Sequence, residues 1–314
     1  MDLTARPPDD EMTRLVVEAL ASSETEEAPA PLRARVLAAA QAERPAGRPP
    51  GVRLPSPLEA YRQTVDDLDE VLSRRLPAEW EAVVEPYGWT VQGMVGHILA
   101  IERLLGTRLG VDRLDVPPEV EVDHIGMTQA IVAAQEGRDP TETLVEWRRA
   151  ARRVLDVLAA GDANLDDQVS VHGLTLRWRD LLVVRSLELW THSDDIRRAI
   201  GRPIVAPDAG RMALMTNLAV RSLPYRLAAT GGHAGSGSGG VARIVLTGVG
   251  GGVWVQPFGQ GDAAAEPDVR IVADAVGFCR LTAGRLTTDE LAARIDGDHR
   301  LAADILSATA AFAV

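Results

Sequence analysis

Apolar residues recur at helical spacing along most of the segment between residues 57 and 228, and this periodicity constrains the fold more than any other feature. Aromatic residues make up only 4% of the chain, so the core must be built from Leu, Val, Ile and Ala, and abundant Leu and Ala favour helix. Four long amphipathic helices of this kind pack as a bundle. The four stretches are Leu58–Leu72, Thr90–Leu109, Thr143–Leu158 and Leu176–Ile200.

Local signals mark the ends of two of these helices. Thr90 and Thr175 are N-cap candidates, because a threonine hydroxyl accepts hydrogen bonds from the exposed amides of the first turn. Gly201 and Pro203 stop the helix that ends near residue 200, in the order typical of helix C-termini. A fifth helix is predicted over Ala209–Ala228.

The pattern changes after the glycine-rich segment Gly231–Gly240, whose composition is typical of a flexible linker or a long loop. Beyond it, short β-rich runs separated by glycines predict a hairpin and a further strand, with helices after them. The predicted strands are Ala242–Leu246, Gly252–Gln256 and Val269–Val272, and the predicted helices are Ala275–Ala283, Thr288–Ile295 and Arg300–Ala311.

The sequence therefore predicts a mainly α chain in three parts. Residues 1–56 form a flexible or loosely helical N-terminal extension, because short helical patterns alternate there with acidic and proline-rich spacers. A helical bundle occupies residues 57–230, and a small α+β domain occupies residues 241–314. The extension is interpreted as a loosely attached tail, with a regulatory or partner-binding arm as the alternative.

Charge and cysteine content limit the classes of partner and compartment. A formal net charge of −12 argues against nucleic acid or an anionic membrane as the partner. Cys279 is the single cysteine, so no intramolecular disulfide can form, and its apolar surroundings predict an inert core residue. The N-terminus lacks the pattern of a signal peptide, and no apolar run is long enough to span a membrane. A cytoplasmic location is expected.

Polar residues lie on the apolar side of the helix predicted over Leu176–Ile200. On a wheel of about 100° per residue, Glu188, His192 and Asp195 lie on the same side as much of the apolar stripe. Buried carboxylates and imidazoles cost free energy unless a partner compensates for the lost hydration, and a metal ion is one such partner. Because Glu188 and His192 are four residues apart, both can reach one ion.

A histidine occupies a comparable position in the second predicted helix. His97 shares its face with Met94 and Ile101, and it could meet Glu188 and His192 across the bundle core. Two imidazole nitrogens and one carboxylate oxygen leave a fourth zinc position open, as in catalytic sites, although the same donors accept iron, manganese or nickel. Two alternatives remain at this point. His97 is a satisfied core histidine, or the bundle holds no metal and the three residues hydrogen-bond to one another.

Two stretches carry a resemblance to a known family. The segments Gly88–Gly106 (GWTVQGMVGHILAIERLLG) and Leu187–Pro203 (LELWTHSDDIRRAIGRP) resemble the signature regions of the mycothiol-dependent maleylpyruvate isomerase family. Its members are actinobacterial proteins with a DinB-like metal-binding four-helix bundle. The segment Val269–Arg285 is similar to part of the small C-terminal domain that many members carry. The matching residues are Trp89, Thr90, His97, Ile98, Glu188, Trp190, His192, Asp195, Ile196, Gly201 and Pro203.

The resemblance implies that His97, Glu188 and His192 bind zinc or another divalent metal, with mycothiol as the thiol cosubstrate. A metal-bound thiol has a lowered pKa, so its thiolate could add to an electrophilic carbon. An isomerase would release the thiol again, whereas an S-transferase would keep the adduct. The expected function is one of these two activities on a small electrophile. The alternative is a non-catalytic metal- or ligand-binding regulatory protein built on the same bundle.

Three further residues are candidates for roles near this site. Asp195 could orient a ligand or act as a base, or it could be a surface or capping carboxylate. Arg185 lies on the same face as Glu188, so it could hold an anionic substrate or pair with an acid. Arg270 is a candidate cofactor or substrate contact from the C-terminal domain.

Overall fold

The computed structural model describes most of the chain beyond residue 51, and the described residues belong to one compact unit, Ala46–Val314. Most of the predicted N-terminal extension and of the predicted linker Gly231–Gly240 therefore lies outside the described residues. The described ranges are residues 52–74, 77–85, 87–114, 124–172, 174–229, 239–262 and 264–310.

The described residues up to 229 are mostly helical. Two short antiparallel strand pairs interrupt the helices, and a 3₁₀ turn covers Pro77–Glu81. The helices are α1 (Pro57–Ser73), α2 (Val91–Arg108), α3 (His124–Ala133), α4 (Pro140–Ala160), α5 (Trp178–Ala199) and α6 (Ala209–Ala229). The strand pairs are β1 (Val83–Val84) with β2 (Trp89–Thr90), and β3 (Gln168–Val171) with β4 (Leu174–Arg177).

Helices α1, α2, α4 and α5 form the bundle that the periodicity predicts. Helix α1 packs mainly against α5, and α2 packs against α4 and α3 while also contacting α5. Their apolar faces meet in one core in which Trp147 and Tyr61 are the largest fully buried aromatic side chains. Helix α3, which periodicity did not predict, approaches α2 closely because Gly96 has no side chain. A Cβ at Gly96 would lie 2.7 Å from Cγ of Gln135.

The predicted helix ends are partly confirmed. Thr90 caps α2 by accepting a hydrogen bond from the amide of Gly93 at 3.0 Å, and Gly201 follows α5 with a φ of 67°. The Thr175 cap is wrong, because Thr175 lies in β4, opposite Ser170, and α5 begins only at Trp178. Residues 168–171 instead pair with residues 174–177, so the backbone groups of these strands are satisfied by strand hydrogen bonds rather than by the first helical turn.

The C-terminal part is a mixed four-stranded sheet with helices. Strand β5 pairs antiparallel with β6 and parallel with β7, and β7 pairs antiparallel with β8, so the order is β6-β5-β7-β8. The glycine-rich stretch Gly248–Val253 lies at the hairpin turn between the first two strands. The elements are β5 (Gly240–Thr247), β6 (Gly252–Phe258), β7 (Val269–Asp274), α7 (Ala275–Thr282), β8 (Arg294–Gly297) and α8 (His299–Ala310).

One predicted helix in this part is wrong. The segment Thr288–Ile295 forms turns and then enters β8, whose Ile295 lies opposite Ile271 of β7. Ala292 has a φ of 49°, which is incompatible with a continuous helix, and the free edge of β7 offers backbone hydrogen bonds that outweigh the helical propensity of the segment.

The mainly helical part followed by a small sheet domain confirms the predicted fold class. The second half of α6, through residues such as Val220 and Leu223, packs into the core of the sheet part. The boundaries at residues 56, 230 and 241 stay predictions. Among the helices that the structure describes, none is both long enough and apolar enough to cross a membrane.

Candidate metal centre

Three predicted ligands meet in the bundle core. His97 from α2 and Glu188 and His192 from α5 each offer one donor atom, and these atoms lie within 4.8 Å of one another. Oε1 of Glu188 lies 3.7 Å from Nε2 of His97 and 3.9 Å from Nε2 of His192. All three side chains are buried.

The donor set fits a divalent metal. Ligand atoms about 2.0–2.2 Å from one ion lie about 3.3–3.8 Å apart at tetrahedral to trigonal angles, close to the 3.7 Å and 3.9 Å between Oε1 of Glu188 and the two Nε2 atoms. Nε2 of His192 is buried and has no hydrogen-bond partner among the described residues. A buried imidazole nitrogen left in this state costs free energy, and a metal ion would compensate for it.

The other ring nitrogen of each histidine also has a hydrogen-bond partner. Nδ1 of His97 lies 2.9 Å from Oγ1 of Thr128 on α3, and Nδ1 of His192 lies 3.4 Å from Oδ2 of Asp195. In a neutral histidine whose Nε2 serves as a metal donor, the proton sits on Nδ1. Thr128 and Asp195 are therefore placed to accept a hydrogen bond from Nδ1–H and to orient the two rings.

Asp195 is held by an arginine from the C-terminal part. Arg285, which follows α7, donates to Asp195 from Nη2 at 2.7 Å and from Nε at 3.0 Å. Burial alone would raise the pKa of Asp195, but hydrogen bonds from His192 and Arg285 lower it by a larger amount. The pKa of Asp195 therefore lies below its usual value. Asp195 is buried, so it is not a surface carboxylate, and its predicted roles of orienting a ligand or acting as a base stay predictions.

Arg185 pairs with acids, the second of the two roles predicted for it. The guanidinium is 1% exposed, forms an ion pair with Oε2 of Glu188, and donates to Oε1 of Glu102 at 2.8 Å. Burial alone would lower the pKa of Arg185, but the neighbouring Glu188 and Glu102 raise it by a larger amount. The pKa therefore lies above its usual value, and the guanidinium stays charged. Tyr61 donates its hydroxyl proton to the remaining oxygen of Glu102.

Aromatic rings cover the histidines. Tyr87 and Trp89 stack with their centroids 4.9 Å apart, and the Trp89 ring lies 5.2 Å from that of His97. The Tyr87 ring lies 5.9 Å from the His192 ring, and its hydroxyl accepts a hydrogen bond from Nη2 of Arg285 at 2.7 Å. Burial raises the pKa of Tyr87 more than Arg285 lowers it, so the hydroxyl keeps its proton.

A groove of about 550 Å³ opens beside this cluster. Asp195 and Arg285 line it, together with the cation of Arg198 and the acids Glu85 and Glu290. Because Asp195 also contacts His192, the groove connects the exterior to the polar residues next to the predicted ligands. The groove is lined by both cationic and anionic side chains, which suits a polar small molecule.

Arg270 lies elsewhere. It sits on β7 with its side chain half exposed, 3.7 Å from Asp296 of β8, and so its predicted role as a cofactor contact stays a prediction that this geometry does not support. The arginine of the C-terminal part that reaches the cluster is Arg285. Cys279 is fully buried, and burial raises the pKa of its thiol to about 12, which agrees with an inert core residue.

Sequence reasoning missed five residues that contact the cluster or its neighbours. Helical periodicity gave no sign of four of them, because these come from segments outside the two helices that carry the ligands. Glu102 alone had a signal, an acidic residue inside the apolar stretch of α2. The five are Tyr61, Tyr87, Glu102, Thr128 and Arg285.

Comparison with known proteins agrees with this geometry. The profile of the mycothiol maleylpyruvate isomerase N-terminal domain matches residues 61–197, a range that contains all three predicted ligands. Two uncharacterized proteins of Mycobacterium tuberculosis, MT0041 and Rv0036c, are 25% identical over 176 residues. That match covers 54% of this chain and 66% of each relative, so the chain spans just under two thirds of their length.

Solved structures show the same fold. Crystal structures of mycothiol-dependent maleylpyruvate isomerase and of a mutant of it superpose with TM-scores of 0.52 and 0.51 at 18% identity. Each comparison covers 77% of this chain and 93% of the solved chain, so the likeness includes the sheet part as well as the bundle. The chain therefore carries a mycothiol maleylpyruvate isomerase N-terminal domain at residues 61–197, within a fold that matches that of mycothiol-dependent maleylpyruvate isomerase.

Proposed function

We propose that this protein is a metal-dependent enzyme that uses a small thiol, mycothiol, to isomerise or conjugate a small electrophile. The proposed metal is zinc, bound by His97, Glu188 and His192. The observation that carries the proposal is the convergence of these three buried donors next to a groove that reaches the exterior. The domain match and the shared fold support it.

Each ligand has a separate support in the protein. Thr128 orients the ring of His97, Asp195 orients that of His192, and Arg185 holds one oxygen of Glu188. These contacts leave Nε2 of both rings and Oε1 of the glutamate directed at one point, and they reduce the reorganisation needed when a ligand binds.

The chemistry needs a thiolate near neutral pH. A divalent metal with one open position would supply it by lowering the pKa of a bound thiol. The rings of Tyr87 and Trp89 cover the histidines, and Arg285 lines the groove while it is paired with Asp195.

Metal analysis tests the proposal first. Purified protein reconstituted with zinc should hold about one equivalent, and a His97→Ala, His192→Ala double variant should hold none. His299→Ala, which removes an exposed histidine at the start of α8, is the matched control and should retain the metal. If the wild type holds no zinc after reconstitution, the metal-dependent function is wrong.

Turnover then separates the candidate activities. The zinc-loaded protein is incubated with mycothiol and a panel of conjugated carbonyl compounds, and the products are identified by mass. An unchanged mass with a changed double-bond geometry indicates an isomerase, and an added thiol mass indicates an S-transferase. A zinc-loaded protein that turns over none of them would favour the non-catalytic metal-binding protein instead.

A further inference from the structure

A buried chain of polar side chains extends from Glu188 through the bundle core. Tyr61 on α1, Glu102 on α2 and Arg185 on α5 are each at most 1% exposed. Burying a guanidinium and a carboxylate is costly, and well-packed apolar side chains of similar volume often leave a protein equally or more stable. Fold stability alone therefore does not account for these three residues.

The contacts along this chain have a direction. The Tyr61 hydroxyl donates to Oε2 of Glu102, and burial keeps the pKa of that hydroxyl well above its usual value. Nη2 of Arg185 donates to Oε1 of Glu102 at 2.8 Å. Both oxygens of Glu102 therefore accept hydrogen bonds, which is the arrangement of an ionised carboxylate. Nη1 of the same arginine forms the ion pair with Oε2 of Glu188.

These contacts divide the two oxygens of Glu188 between different tasks. Oε2 is engaged by Arg185, while Oε1 lies 3.7 Å and 3.9 Å from the Nε2 atoms of His97 and His192. We propose that Tyr61, Glu102 and Arg185 form a positioning relay that presents Glu188 to the metal through a single oxygen and sets the charge of the site. This inference rests on the proposed metal-dependent function.

The charge of the relay suits a metal-bound thiolate. Glu188, Arg185 and Glu102 together leave one negative charge in the core, while Asp195 and Arg285 neutralise each other. A divalent cation with a bound thiolate carries one positive charge, which cancels it. Because charges interact strongly in a buried site, removing the charge of Glu102 should weaken cation binding.

Glu102→Gln in the full-length protein tests the relay, since glutamine keeps the shape and removes the charge. Zinc affinity is measured by competition with a chelator, and Co²⁺ is used as a spectroscopic probe whose visible absorption depends on its ligand set. We expect zinc affinity to fall by about 10–100-fold. We also expect the Co²⁺ bands to shift, because a neutral amide at position 102 holds Arg185 less firmly, and Arg185 fixes Oε2 of Glu188.

Glu70→Gln is the matched control, because it removes an exposed carboxylate on α1 that pairs with Arg74. It should leave affinity and spectrum unchanged. Should Glu102→Gln fail to fold, as judged by circular dichroism, Arg185→Lys takes its place. An ammonium reaches only one of the two carboxylates, so the same loss and the same spectral shift are expected.

The outcomes separate the relay from the metal site itself. A wild type that binds neither Zn²⁺ nor Co²⁺ overturns both proposals. A wild type that binds both ions, with a folded Glu102→Gln protein whose affinity is within twofold and whose Co²⁺ spectrum superimposes, overturns the relay alone. A weaker affinity together with shifted bands supports it, since a merely structural loss would not change the spectrum of the loaded, folded protein.

Discussion

The contact between Arg285 and Asp195 links the sheet part to the ligand helix, and its strength can be measured. The guanidinium donates to both carboxylate oxygens, and the two side chains are 9% and 1% exposed. Removing one partner of a buried ion pair leaves an uncompensated charge and costs about 3–5 kcal/mol. In the Arg285→Gln variant, Asp195 would still contact Arg198 at 3.5 Å and the ring of His192. We therefore expect the free energy of unfolding to fall by about 3 kcal/mol, the lower limit of that range.

A double-mutant cycle isolates the pair. Urea unfolding of the metal-free wild type, Arg285→Gln, Asp195→Asn and the double variant gives four free energies of unfolding. Charge-assisted hydrogen bonds contribute about 1.5–3 kcal/mol, so we expect a coupling energy in that range. Chelator is present throughout, so that loss of metal does not contribute to the difference.

An exposed pair on the sheet serves as the control. Arg294 and Asp296 lie 3.4 Å apart, and their side chains are 73% and 45% exposed. Solvent screening should reduce their coupling energy to a few tenths of a kcal/mol. A coupling energy for Arg285 and Asp195 as small as that of the surface pair would refute the reasoning, because it would mean that the C-terminal arginine does not hold the carboxylate.

Three further perturbations have expected outcomes. Because the folded-state pKa of Asp195 lies below its usual value of 3.8, its carboxylate stabilises the fold above about pH 4, and that stability is lost as the pH falls through the folded pKa. The free energy of unfolding should therefore fall less steeply with decreasing pH in Asp195→Asn than in the wild type; equal slopes in the two proteins would contradict this. Thr128→Ala removes the partner of His97 and should lower zinc affinity by about 10-fold in chelator competition, with Thr128→Ser as control. Gly96→Ala displaces Gln135 and should lower the free energy of unfolding in urea by about 1–3 kcal/mol. An unchanged urea midpoint would show that α3 moves away from α2 without loss of stability.

The ligand positions could be predicted from the sequence because they break a pattern. His97, Glu188 and His192 interrupt faces that are otherwise apolar, and a polar side chain in an apolar stripe must find a compensating partner. The helical wheel fixed which residues share a face, and the structure brings those residues together. The helices of the bundle were predictable for the same reason, since each has an apolar side of its own.

The supporting residues could not be predicted in this way. Thr128 lies in α3, whose sequence HIGMTQAIVA is apolar on most sides and has no clear face. Arg285 lies in a turn after α7, and nothing in its local sequence indicates that it contacts Asp195, 90 residues earlier. Strand β8 was mistaken for helix because its short sequence pairs with β7 only in the folded sheet.

The site therefore depends on more than the two helices that carry its ligands. The outer nitrogen of His97 needs α3, and Asp195, which holds the outer nitrogen of His192, needs Arg285 from the sheet part. A bundle without those two additions would keep three donors in the core but leave both rings less constrained. Since poorly oriented ligands bind a metal more weakly, the C-terminal part contributes to the proposed metal site although it supplies no ligand.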